Sequence, residues 1–172
     1  MKKERKFFRG AEISDIQAIM ELAAPHVEKG WLLPRKEEEI RTSIWNEELL
    51  LLFEREKKKE VLLGCSGGRV LNNKVAELYF FVVRGGRGLE SGFDSVRLLK
   101  ERLKRLKEVG ITEAYFFTEK SNPLINTVFK RCGFEIIPEE KLLSELPPEM
   151  QKELVFLKKE NRNPIAMKKH LQ

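Results

Sequence analysis

Apolar positions recur along the chain with two periods. Ile16, Ile19, Met20 and Ala23 fall at i, i+3, i+4 and i+7, which puts one apolar stripe on a first helix. Ser14 with Gln17 three residues on reads as its capping box, and Pro25 and Gly30 bracket its end. Residues 7–12 before it are a short mixed run that reads as an edge strand. Pro34 biases Leu33 toward extended backbone, and residues 36–46 read as a second helix, with Arg35 at the bend. Three strand-like runs follow, at 49–55 (LLLLFER), 61–70 (VLLGCSGGRV) and 75–83 (VAELYFFVV). Their short charged or Asn-rich connections predict an antiparallel meander, and Gly67–Gly68 predicts a bulge or a close backbone approach.

Downstream the period changes. Val96, Leu99, Leu103 and Leu106 stripe a long helix that ends at Gly110, a common helix stop. Residues 111–118 (ITEAYFFT) read as a strand, and the strand–helix–strand order predicts that it lies parallel to 75–83. Ser121-Asn122-Pro123 opens a further helix lined by Ile125, Val128 and Phe129, and a last short strand begins after Gly133. Beyond Pro138 the pattern weakens to short helical turns at 141–146 and 147–154, with NPIAMKKHL returning as a strand. The expected fold class is α/β (α+β): one domain over residues 1–172, with a mixed central sheet of six to seven strands flanked by helices.

Composition narrows the function classes. The 172 residues carry 33 Lys and Arg against 27 Asp and Glu, a formal charge of +6. Because Lys and Arg interleave with Glu throughout, as in LKERLKRLKE, the excess reads as a solvated surface rather than a nucleic-acid footprint. No run is long and apolar enough for a membrane span, and MKKERKFFRG lacks the apolar core of an export signal. Two cysteines are too few for a disulfide framework or a zinc site. A cytoplasmic setting follows, with no nucleic acid, membrane or metal partner expected; a homodimer stays open. Neither lone histidine, His26 or His170, has a second ligand nearby in sequence.

The candidate chemistry lies between residues 75 and 95. A strand, the glycine-rich stretch RGGRGLESG (84–92) and a helix start together form a device for holding phosphate, because loop and helix N–H groups turn toward an anion. Glu77 is the one charge within the apolar strand, a costly placement unless it has a partner or a task. Ser121 is an ordinary helix cap on spacing alone.

In this order the elements resemble the GNAT superfamily of N-acetyltransferases over nearly the whole chain. Within it, LLPR (32–35), GC (64–65), AEL (76–78) and VFKRCGF (128–134) are similar to the short N-acetylglutamate synthase group of arginine biosynthesis. The resemblance implies acetyl-CoA as co-substrate and the α-amino group of L-glutamate as acceptor, with direct transfer. It further implies Glu77 as general base and Ser121 as general acid. Leu33, Arg35, Phe80 and Arg162 would grip the amino acid, and Phe81, Val83, Arg87, Gly88, Gly92 and Ser95 the cofactor. The superfamily's Arg/Gln-x-x-Gly-x-Gly/Ala loop is not reproduced by any register of residues 84–95, which sets Glu90 or Asp94 beside the expected pyrophosphate. Two alternatives therefore stay open: acetylation of another small amine or a protein N-terminus, and a non-catalytic binding module.

Overall fold

In the computed structural model, which describes residues 5–57, 59–85 and 89–171 (the side chains of 89–91 excepted), seven strands form one mixed sheet. The elements run β1 (Lys6–Gly10), α1 (Ile16–Glu28), α2 (Glu37–Trp45), β2 (Leu49–Glu56), β3 (Lys59–Val70), β4 (Val75–Val83), α3 (Leu89–Glu108), β5 (Glu113–Glu119), β6 (Glu135–Ile136), α4 (Leu142–Glu145), α5 (Pro148–Lys159) and β7 (Pro164–His170). The strand order is β1-β2-β3-β4-β5-β7-β6. Only β4 and β5 pair in parallel; every other neighbouring pair is antiparallel. The meander, the parallel pair and the returning strand of the sequence reading are all present.

The two-residue period of β2 sorts its side chains. Leu49, Leu51 and Phe53 pack with Ile16, Ile19, Ile40 and Ile44 of α1 and α2. Leu50 and Leu52 pack with Leu98 of α3 on the opposite face. Ala76, Leu78, Ala114 and Phe116 continue that opposite face against Leu99 and Leu103. Tyr115 and Ala166 meet Met150 and Leu154 of α5. So α1, α2 and α5 cover one face, and α3 covers the other.

Four local expectations change. A 3-10 turn (Ile13–Asp15) precedes α1, and its capping box is Glu12 with Asp15, not Ser14 with Gln17. Asp15 also holds Arg9 at 2.7 Å, so the carboxylate outcompetes the hydroxyl for the cap. Pro25 lies inside α1, which continues to Glu28. α3 begins at Leu89, so Gly92 is already helical. Residues Ile125–Phe129 form one π turn followed by a 3-10 turn, and Asn122 rather than Ser121 supports its start: its Oδ1 accepts from Leu124 N at 3.0 Å.

Candidate functional site

The β4–β5 pairing lasts only four residues, from Val75↔Glu113 to Leu78↔Phe116. Beyond it β4 runs on to Val83 and β5 to Glu119 without pairing to each other. The strands part there because β4 is bulged. Cys65 of β3 faces Val82 while Gly67 faces Tyr79, so β4 carries one extra residue across that step. Phe80 absorbs it with φ of +50°, a left-handed conformation rarely adopted by a bulky side chain. The bulge puts successive side chains on one face, and Tyr79 and Phe80 both join the α1–α2 cluster.

Gly67 makes room for this arrangement. A Cβ there would meet the Tyr79 ring at 2.6 Å, and one on Gly68 would meet Arg102 at 3.1 Å from α3. The close approach expected at this glycine pair is therefore two approaches, one from each face.

A cavity opens at the parting point, lined by Leu33, Arg35, Glu77, Phe80, Glu119, Glu153 and Arg162 among others. Four residues separately expected at a substrate site (Leu33, Arg35, Phe80 and Arg162) thus meet Glu77 in one place. Glu77 is only 3% exposed and forms an ion pair with Arg69 of β3. Arg35 stacks its guanidinium 4.7 Å from the Tyr79 ring centroid and 6.0 Å from that of Phe80, a favourable cation–π placement. Tyr79 is fixed in turn by its hydroxyl, which donates to Glu48 and accepts from Ser43. Among the described residues Arg35 has no salt bridge. Arg162 is engaged: its Nε donates to Glu119 at 2.6 Å and its Nη2 to the Gly30 carbonyl at 2.9 Å.

Sequence reasoning missed Glu153, Glu119, Arg69 and Tyr79. Glu153 had a readable signal, since it sits between Met150 and Leu157 on the buried stripe of α5. Burial first, then the Glu77 charge and a hydrogen bond with Glu77, push its carboxyl up to about 7, against the pull of Arg69 and Arg35.

The other expected residues are spread along the open edge of β4 or outside it. Ser121 is exposed on the turn after β5 and does not line the cavity. The Arg84 N–H donates to Leu63 of β3, so the carbonyl of the same trans peptide, that of Val83, points to the opposite edge. There it accepts from His26 Nε2 at 3.0 Å. Phe81 packs edge-on against Phe129, with ring centroids 5.4 Å apart. Ser95 is 3% exposed and sits in the second turn of α3; the helix start expected near it lies at Leu89 instead. The unpaired N–H groups of an α-helix belong to its first four residues, here Leu89 to Gly92. A Cβ on Gly92 would meet nothing within 4 Å, so that side of the first turn is open. Arg87 and Gly88 lie outside the described residues, as does the Glu90 side chain. Asp94 is 8% exposed and is held by Lys6 of β1, with both oxygens at 2.9 Å, so its charge is compensated.

The thiols are poor nucleophiles. Cys65 is fully buried, and burial pushes its thiol up to about 12 despite the Arg102 charge. Burial raises Cys132 as well. Among the described residues no helix is long and apolar enough to cross a membrane.

No family model and no curated protein matches this chain. Solved structures do. The N-acetylglutamate synthase of Neisseria gonorrhoeae, in complex with coenzyme A and N-acetyl-glutamate, superposes with a TM-score of 0.78 at 23% identity, over 99% of this chain and 36% of the synthase. This chain thus spans about a third of that protein's length. Rv2747 of Mycobacterium tuberculosis, solved with CoA, gives 0.73 at 17% identity over 96% of this chain and 99% of its own. Ard1 of Thermoplasma volcanium gives 0.70 at 14%, over 98% and 99%.

Proposed function

From a chain that carries the fold of the GNAT acetyltransferases, we propose an N-acetyltransferase that moves the acetyl group of acetyl-CoA directly to the amine of a small amino acid. The observation that carries this reading is the parted β4–β5 edge with buried Glu77 in its cavity and, beside it, Arg35, which has no salt bridge among the described residues. Acetyl-CoA would lie along the open edge of β4 past Phe81 and Val83, its pyrophosphate on the first-turn N–H groups of α3 and on the glycine stretch. The Val83 carbonyl has a second lone pair for a pantetheine amide beside its bond from His26.

The acceptor's carboxylate would pair with Arg35 and its ammonium would face Glu77. Glu77 takes the ammonium proton, because only the free amine attacks a thioester. The nitrogen bonds to the acetyl carbon, the C–S bond breaks, the thiolate leaves with a proton for which Ser121 is the proposed donor, and the nitrogen's second proton, released as the amide forms, replaces the one Ser121 gave. The raised thiols of Cys65 and Cys132 favour this direct route over an acyl-enzyme.

The proposed acceptor is L-glutamate. One observation favours a second reading: Arg162 is already paired with Glu119, which leaves Arg35 alone to bind a carboxylate and suits an amino acid with a single carboxylate. Calorimetric titration with acetyl-CoA, with and without glutamate, is the first test. Micromolar binding is expected, and no heat up to millimolar acetyl-CoA overturns the proposal. Thiol release with a panel of amino acids then identifies the acceptor. Arg35→Ala should raise KM for the true acceptor by about 10–100-fold, the worth of a charged hydrogen-bonded contact.

A further inference from the structure

The mechanism proposed above uses Glu77 and leaves Glu153 unexplained. Glu153 reaches the cavity from α5, across from β4, and both carboxyls line it together with Arg35. The two also flank the adjoining cavity that holds Arg69, Glu39, Glu48 and Tyr79. The Glu153 and Glu77 carboxyls thus face the same two cavities, and the Glu77 charge adds to burial in raising the Glu153 carboxyl. Two carboxyls that share one confined site resist ionising together, because each charge disfavours the other. Arg69 already occupies Glu77 from the β3 side.

Resting on the proposed acetyl transfer, we propose that Glu153 is a second catalytic carboxyl, and that Glu77 and Glu153 act as one proton-accepting pair at the amine. The charged and titratable groups around Glu153 are Glu77 on β4, Arg69 on β3 and Arg35 before α2, with Glu39, Glu48 and Tyr79 beyond them. In the empty site Glu153 keeps its proton to a higher pH than an ordinary glutamate. On ionisation of both carboxyls the pair becomes the active base. The substrate ammonium then gives one proton to the pair, and the neutral amine is left to attack. A base that titrates near neutrality is well matched to an amine at physiological pH, since it is both substantially ionised and strong enough to accept the proton. The raised carboxyl of Glu153 meets that condition.

The test has two arms. In the first, the carboxyl carbons of the ligand-free protein, labelled at glutamate, are titrated by NMR. One glutamate resonance should titrate near 7 in the wild type, and Glu153→Gln should abolish it. Absence of any glutamate titrating clearly above its ordinary range overturns the pair, whatever the enzyme does. In the second arm, kcat/KM is followed against pH for the acceptor found above. Wild type should show an acid limb near 7. Glu153→Gln should move that limb down by a unit or more and lower kcat by ~10²-fold, with KM little changed. Glu153→Asp, which keeps a carboxyl, should restore the limb in part. An unchanged limb in a folded Glu153→Gln protein overturns the catalytic role even if the titration is seen. A wild type that transfers acetyl to no amine overturns the function and the role with it, a failure the NMR arm distinguishes from failure of the pair.

Discussion

Glu153 lies on the stripe where α5 otherwise buries Met150, Leu154 and Leu157, and its ionisation has a consequence for stability as well as for chemistry. The carboxyl titrates near its ordinary 4.5 in the unfolded chain and at about 7 in the fold. A value raised by folding contributes stability that is fully present below 4.5 and is lost as pH rises through 7. Glutamine mimics the protonated side chain and does not ionise. Glu153→Gln should therefore match the wild type in thermal midpoint near pH 4.5 and exceed it at pH 8. The full shift would be worth ~3 kcal/mol; screened at this half-buried carboxyl, an excess of ~1–3 kcal/mol is expected, or about 2–10 °C at this chain length. His26 works in the opposite sense, because burial lowers its value from 6.5 ahead of the opposing bond to Val83. Its contribution is present above 6.5 and is lost as pH falls. Comparing variant with wild type at each pH cancels the histidine and isolates the carboxyl. Calorimetric scans from pH 4.5 to 8 would decide it: a difference that does not grow with pH removes the raised carboxyl.

At the scale of elements, the site depends on the bulge in β4 and on the glycine opposite it. Gly67→Ala sets a Cβ against the Tyr79 ring, which is already held by Ser43 and Glu48 and carries Arg35 on its face. The ring cannot yield without moving Arg35. Urea denaturation should show a loss of ~1–3 kcal/mol, the usual penalty for overpacking, and a variant as stable as wild type would mean that the strand shifts freely. The glycine pair was legible in sequence because glycine within a strand implies close approach. Glu77 was legible as a charge in an apolar strand, and Arg35 as the bend residue after Pro34. What a strand pattern does not reveal is which partner strand carries a bulge. The glycines lie in β3, but the extra residue is in β4, and Phe80 takes the left-handed turn with no glycine to mark it. Glu153 escaped because the stripe that carries it follows the Pro147–Pro148 break and reads there as no more than a short helical turn, and Glu77, across the cavity, is distant in sequence. The start of α3 was misplaced for a different reason: Gly92 reads as loop, but helix geometry tolerates one glycine in a first turn at a modest cost.

At the scale of the molecule, the two covered faces of the sheet form the scaffold, and the gap between β4 and β5 interrupts its hydrogen-bonded ladder. A ligand that fills the gap bonds to strand edges that otherwise pair with nothing across it, and so should stabilise the whole fold. Acetyl-CoA at 100 times its Kd should add ~2.7 kcal/mol, which raises the thermal midpoint by about 5–10 °C at this size. A scan with saturating acetyl-CoA reads this directly, and an unmoved midpoint would argue against occupancy of the cleft. The ladder resumes at β7, which enters between β5 and β6 and matches β5 along seven pairs, Glu113↔His170 to Glu119↔Pro164. A chain nicked or cut between α5 and β7 would strip β5 of that neighbour and leave its apolar run as an open edge. Such an edge is a template for strand addition by other molecules. The closing strand is thus the protein's guard against self-association into aggregates.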